Sequence, residues 1–333
     1  MTTASRTIAS LAALASLLGC ATEADRRIAG VISANHTRNL SPWSEPVSLG
    51  STINTSFNDQ QPALSKDGLS LYFASNRPEG PDDTNLDLNI WLSQRACADD
   101  GCPWETPVLL GPAVNSPSNE SGPALSRDGH QLFFFSNRPG PGSFGAADIW
   151  VSRRENVHDD FAWGAPENLG PGVNTNQVDG GPGYFENEEG GAPRLYFNRS
   201  ATAVVGGDIY VSEQAADGSF GPAVPVSELN TDSTDQRPSV APSGLEIYLH
   251  SNRPGSNSMD IWVSTRESVL ESWSLPTNLG PPINTAAGEF LPFIFSHGRF
   301  ERLYFTRNVA TPPALNLDLY VSTRSRGPGA SNP

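Results

Sequence analysis

Apolar residues in this chain come in short bursts separated by Gly-, Pro-, Asn- and Asp-rich punctuation, and no stretch holds a helical period. The bursts recur in a fixed order. A segment of the form PALSxDG opens at Pro62, Pro123, Pro182, Pro238 and Pro292, with degenerate third and fifth copies (PGYFENEEG and PFIFSHGRF). Each is followed by an apolar run (LYFASNR, LFFFSNR, LYFNR, IYLHSNR, LYFTR) ending at Arg77, Arg138, Arg199, Arg253 and Arg307. NIWLS, DIWVS, DIYVS, DIWVS and DLYVS come next, opening at Asn89, Asp148, Asp208, Asp260 and Asp318. Between units lies W-x-x-P-x-x-L-G or a variant, opening at Trp43, Trp104, Trp163, Phe220 and Trp273, with Asn54, Asn115, Asn174, Asn230 and Asn284 downstream.

Each unit of roughly 53 to 61 residues thus predicts four short strands with turns between them. The Asp-Gly ending of the first suits a tight hairpin. The proline of the fourth suits an outer edge. A four-stranded unit repeated in tandem five times predicts an all-β, five-bladed β-propeller of antiparallel blades. The phase of the repeat predicts how the ring closes. The chain starts its repeats with a fourth-strand motif (43–50) and ends them with a third-strand motif (318–322), so the N-terminal strand is expected to complete the last blade. Closure also removes exposed sheet edges. The boundaries that follow are a propeller over 42–324, a tether over 21–41 and a disordered tail over 325–333.

The string PALSRDGHQLFFFSNRPG followed by DIWVSRR resembles the TolB-type, WD-like β-propeller repeat, and the resemblance spans 43–324. It implies the fold. It leaves function open, because such blades serve translocation-associated proteins, peptidases, lyases and lipoproteins. The TolB type carries an extra N-terminal domain and a sixth blade, and neither is expected from these repeats.

The first residues read differently. An apolar run from Ile8 to Leu18 is too short to span a bilayer and ends in Leu17-Leu18-Gly19-Cys20. This resembles a bacterial lipobox, which implies a signal peptide over 1–20, lipidation of Cys20 and a membrane anchor. Ala21 in place of Asp then implies sorting to the outer membrane. Cys97 and Cys102 bracket a turn sequence and are expected to form a disulfide in that oxidising setting. The formal net charge of −15 disfavours nucleic acid and anionic lipid head groups as partners. Candidate partners are an envelope protein, a glycan or a cation, and a monomer is expected.

One repeated feature carries candidate chemistry. Three residues before each blade's proline stands a carboxylate: Asp59, Glu120, Asp179, Asp235 and Glu289. On first strands these acids would stand at one mouth of the central channel. They could bind a hard cation such as Ca²⁺, serve as glycosidase carboxylates, or act architecturally by accepting backbone N–H groups. The repeated Arg and the repeated Asp are expected to pair within a blade, as Arg138 with Asp148 and Arg253 with Asp260. The Trp/Phe openers read as packing between blades. Scattered histidines and the absence of a nucleophile elbow or phosphate loop point away from an enzyme. Blade-specific insertions (79–87, 186–190 and 310–317) are the asymmetric site candidates. The main expectation is a lipoprotein whose propeller is a protein- or glycan-binding scaffold; the alternative is a glycan-active hydrolase or lyase using channel acids.

Overall fold

The computed structural model describes residues 40–327 apart from positions 100, 141, 188–189, 202–205 and 311–314. The expected signal segment, Cys20, most of the tether and the chain end from 328 lie outside the described residues. Five four-stranded antiparallel sheets make up the fold. Blade 1 is β2 (Asp59–Leu64), β3 (Ser70–Ser75), β4 (Asn89–Gln94) and β5 (Val108–Leu109). Blade 2 is β6 (Glu120–Leu125), β7 (Gln131–Ser136), β8 (Asp148–Arg153) and β9 (Glu167–Asn168). Blade 3 is β10 (Val178–Phe185), β11 (Arg194–Ser200), β12 (Asp208–Glu213) and β13 (Val224–Pro225). Blade 4 is β14 (Asp235–Val240), β15 (Glu246–Ser251), β16 (Asp260–Thr265) and β17 (Thr277–Asn278). Blade 5 is β18 (Glu289–His297), β19 (Phe300–Asn308), β20 (Leu317–Ser325) and, from the other end of the chain, β1 (Val47–Ser48). First strands touch in the cycle β2, β6, β10, β14, β18 and back to β2, so the sheets form a closed five-bladed propeller.

Closure follows the repeat phase. Val47 pairs with Val321 and Ser48 with Tyr320. Asn54 accepts the Leu319 amide and donates to its carbonyl, the same two bonds that Asn115 makes to Ile90 and Asn284 to Ile261. Pairing runs slightly past the expected limits at both ends, since Ser41 donates to the Ser325 carbonyl and Leu40 bridges Arg326. The fourth strands are shorter than their motif. In four blades the paired residues begin directly after Pro46, Pro107, Pro166 and Pro276, because proline has no N–H for the ladder.

Second strands do not alternate because both of their faces are covered. Leu71, Tyr72, Phe73 and Ala74 of β3 are all fully buried between neighbouring blades. The core is therefore divided into five clusters, one at each seam. Tyr72, Ile90 and Leu92 of blade 1, for example, meet Leu132, Phe134 and Trp150 of blade 2. The openers pack between blades as expected: Trp163 stands edge-on to Tyr72, Trp273 to Tyr196, Trp43 to Tyr248, and Phe220 to Phe133. A second repeated arginine, which the sequence reading missed, covers each Trp. The guanidinium carbons of Arg95, Arg154, Arg266 and Arg324 lie 4.3, 4.3, 4.0 and 4.4 Å from the rings of Trp104, Trp163, Trp273 and Trp43. Cys97 and Cys102 form the expected disulfide, with Cα atoms 5.6 Å apart, in the loop after β4.

Candidate functional site

The five repeated carboxylates are fully buried, each inside its own blade. Asp59 accepts the Thr55 amide (2.6 Å), the Thr55 hydroxyl (2.8 Å), the Ser75 hydroxyl (2.6 Å) and Arg77 (2.5 Å). Glu120 accepts the amide and hydroxyl of Ser116, the Ser136 hydroxyl and Arg138. Thr175 and Arg199 do the same for Asp179, Thr231 and Arg253 for Asp235, and Thr285 and Arg307 for Glu289. Each arginine also donates to a loop carbonyl: Ile53, Val114, Val173, Leu229 or Ile283. These are five separate, charge-balanced locks that tie the incoming loop to the first two strands. Their lone pairs are already taken, which leaves little for a cation or a sugar. Among the described residues no three of His, Cys, Asp and Glu converge as a metal site.

The lock corrects the expected ion pairs. Arg138 pairs with Glu120 and Arg253 with Asp235, not with Asp148 or Asp260. The arginine follows the second strand and folds back over its serine, which aims the guanidinium at the first strand. Asp148 instead accepts the Phe144 amide and the Asn168 side chain, and Asp260 accepts the Asn278 side chain.

The channel wall is built by a bulge that all five first strands share. Two residues after each carboxylate the chain enters the left-handed region, at Gln61 (φ 60), Gly122 (65), Gly181 (62), Arg237 (57) and Leu291 (58). The register slips at these points in every blade. Three of the five are not glycine, and a neighbour explains each. The bulged amide of Arg237 donates to Asn198, that of Leu291 to His250, and that of Gln61 to Thr306. In every case the acceptor sits on the second strand of the preceding blade. Where that position is Ala74 or Phe135, which cannot accept, the bulged residue is Gly122 or Gly181. A side-chain acceptor thus compensates the cost of holding a β-carbon in this conformation.

His250 fills this role only as the neutral ring, because Nδ1 must keep its lone pair for the Leu291 amide. Burial, helped by nearby Arg237, lowers its pKa to about 3. The unfolded chain takes up the proton first, below the ordinary value of 6.5. Stability from this group is therefore complete above pH 6.5 and is lost as pH falls toward 3, at about 1.4 kcal/mol per pH unit. Asn occupies the matching position in blade 3, so His250→Asn is the variant of choice. Between pH 6.5 and 4.5 it is expected to lose about 2–3 kcal/mol less than the wild type in urea unfolding. Parallel curves would show that His250 carries no such penalty.

The asymmetric part of the molecule lies at the opposite end of the first strands, where they turn into the second. A cavity of about 230 Å³ opens there among Leu64, Leu125, Tyr184, Val240 and Ile294, one from each blade, and marks the channel mouth. Beside it an open groove of about 1070 Å³ runs between blades 2 and 3, lined by His130, Arg154, Glu155, Gln214 and Asp217. Tyr184 and Glu186 belong to both walls. Glu186 lies in the acidic insertion that replaces the usual Asp-Gly turn. Burial raises its pKa, aided by Asp128 and opposed by the Arg127 amide, which donates to it at 2.5 Å. Asp217, on the turn after β12 of the same blade, is held below the usual range by the hydroxyl and amide of Ser219.

With fold and site in view, the class of the molecule is a closed five-bladed β-propeller. No family model and no curated protein matches the chain. Solved structures do match at the level of fold. One described as a glycoside hydrolase has a TM-score of 0.61 at 10% identity, over 91% of this chain and 97% of that one. A thermostable family-43 glycoside hydrolase gives 0.54 at 14% identity, over 84% and 96%. An α-L-arabinofuranosidase from Podospora anserina, solved in complex with cellotriose, gives 0.54 at 12% identity, over 86% and 96%. The fold expectation holds, while the finer likeness to the TolB type rests on the repeat residues alone.

Proposed function

We propose that this protein is a glycan-directed propeller of the bacterial cell envelope, carried on a lipid at Cys20, which takes an oligosaccharide along the turn face of blades 2 and 3. The observation that carries the reading is the meeting of groove and channel mouth at Tyr184 and Glu186, in the blade that departs most from the repeat. The groove is open and mixed in polarity, with the Tyr184 ring beside hydrogen-bonding groups, a lining that suits a sugar chain. The fold shared with glycoside hydrolases supports a glycan over a protein partner.

Hydrolysis is the second reading, and one pairing favours it. A carboxyl held up (Glu186) and a carboxylate held down (Asp217) in one groove have the opposed tuning that acid and base need. The ring acids are poorly suited to that role, being buried and ion-paired. The test is a panel of arabinan, xylan and peptidoglycan fragments offered to the membrane-extracted protein, with binding and product release both followed. The N-terminal mass of the same sample shows whether Cys20 is acylated. For a hydrolase, Glu186→Gln is expected to lower turnover at least about 100-fold while binding persists. For a binding module it shifts affinity a few-fold and no product forms. Absence of both binding and turnover across the panel would overturn the glycan reading.

A further inference from the structure

Arg237 has no carboxylate partner among the described residues. It is the cationic side chain on the bulges that wall the channel, where the other four positions are Gln61, Gly122, Gly181 and Leu291. From blade 4 its side chain reaches past blade 3 to blade 2. A β-carbon added at Gly181 would lie 2.5 Å from its Cδ, and one at Gly122 would collide with its guanidinium. The two missing side chains therefore make the space that it fills. Among the described residues its guanidinium forms no ion pair, and its buried terminal nitrogen (Nη1) has no hydrogen-bond acceptor. Its contacts are the Phe135 ring, whose centroid is 6.0 Å away, and the neutral ring of His250. Burial alone lowers its pKa to about 9, with no carboxylate offsetting it. The arginines that follow the second strands are instead held by a carboxylate and a loop carbonyl, as Arg77 and Arg253 illustrate.

A half-buried guanidinium with one buried nitrogen left unpaired is costly unless an anion completes it. Its forked donors suit a planar carboxylate. We infer that the central channel is an anion site, with Arg237 as its principal donor and a carboxylate as its ligand chemistry. The rest of the wall suits this. All five repeated carboxylates are withdrawn into their locks, so none of them opposes the anion. The carboxylate can be a free small acid or one borne on a sugar, as in a uronic acid. This site is independent of the turn-face groove.

The repeat supplies variants that should fold. Gln holds the same left-handed position in blade 1, and Gly in blades 2 and 3, so Arg237→Gln and Arg237→Gly are both precedented within the molecule. Thermal unfolding of the full protein is measured in a low-salt buffer with acetate, glucuronate, chloride or glucose added. The wild type is expected to show a saturable rise of at least about 3 °C with acetate or glucuronate and none with glucose. Both variants are expected to lose that rise while unfolding cooperatively. A stronger response to glucuronate than to acetate assigns the site to a sugar-borne acid, and the reverse order to a free acid. Chloride acting as well as either carboxylate, wild-type-like responses in both variants, or no response in the wild type would each overturn the carboxylate site.

Discussion

Asp235→Ala is expected to cost about 3–5 kcal/mol of folding stability. The carboxylate is fully buried and holds three groups: the Thr231 amide, the Thr231 hydroxyl and Arg253, whose side chain is 7% exposed. Removing it leaves a buried guanidinium that keeps the Leu229 carbonyl, the Ser251 hydroxyl and the face of Trp262 but no counter-charge. It also orphans the amide that starts the loop into blade 4. The loss is a large share of the roughly 5–15 kcal/mol that holds an ordinary domain together. Urea unfolding at neutral pH measures it. Arg153→Ala is the control, because Arg153 and Glu167 form an ion pair with side chains 44% and 70% exposed. That change is expected to cost no more than about 1 kcal/mol. Equal losses in the two variants would mean that the carboxylate locks are not the structural elements described above.

Deleting residues 40–49 is expected to have the larger effect, since it removes the outer strand of blade 5 and bares the edge of β20. Val47 and Ser48 would no longer pair with that strand. Trp43 would no longer stand between Tyr248 and Arg324. Beneath it lies the charge network between blades 4 and 5. Glu301 there accepts Arg324 and Arg326, and Arg324 also reaches Glu246, which in turn accepts the Tyr248 hydroxyl. Burial alone would raise the pKa of Glu301, but the two arginines hold it down. Size-exclusion chromatography with light scattering is expected to find the truncated protein partly dimeric, through edge-to-edge pairing, with a lowered unfolding temperature. A peptide spanning 40–50 added in trans should return it toward the monomer. The half-buried Trp43 is expected to contribute about 2–3 kcal/mol of this on its own, measured as Trp43→Ala. A truncated protein that stays monomeric and unfolds at the wild-type temperature would contradict the role of β1.

The parts of this fold that could be read from residues are those that every blade must repeat. The apolar second strand is legible because it is buried on both faces, and ring closure is legible because the motif order starts and ends out of phase. Arginine pairing was misread because the nearest acid along the chain lies ten residues ahead at Asp148, whereas the true partner Glu120 lies behind, across a hairpin. The Arg–Trp stacking at Arg95 and Arg154 was visible as repetition, yet its meaning depends on a contact between the third strand and the outer loop. Backbone conformation hid Arg237. Its column of Gln, Gly, Gly, Arg and Leu looks unremarkable until the shared left-handed bulge is known. Glu186 was legible as a departure from the Asp-Gly turn, but its place between groove and channel mouth comes from the meeting of blades 2 and 3.

The closing seam also sets a timetable. The Ser44 carbonyl accepts the hydroxyl of Ser322, 278 residues further along the chain. At about 5–20 residues per second, the first segment made must wait roughly 14–56 s for its partner to be synthesised. During that interval four blades can stack, but the ring is an open crescent whose terminal seam exposes half of a hydrophobic cluster. Contacts of such long span are the slow ones to form. The hazardous species in this protein's life is therefore the nearly finished crescent, and handling it until the last strand arrives is a task for the cell's folding machinery rather than for the finished ring.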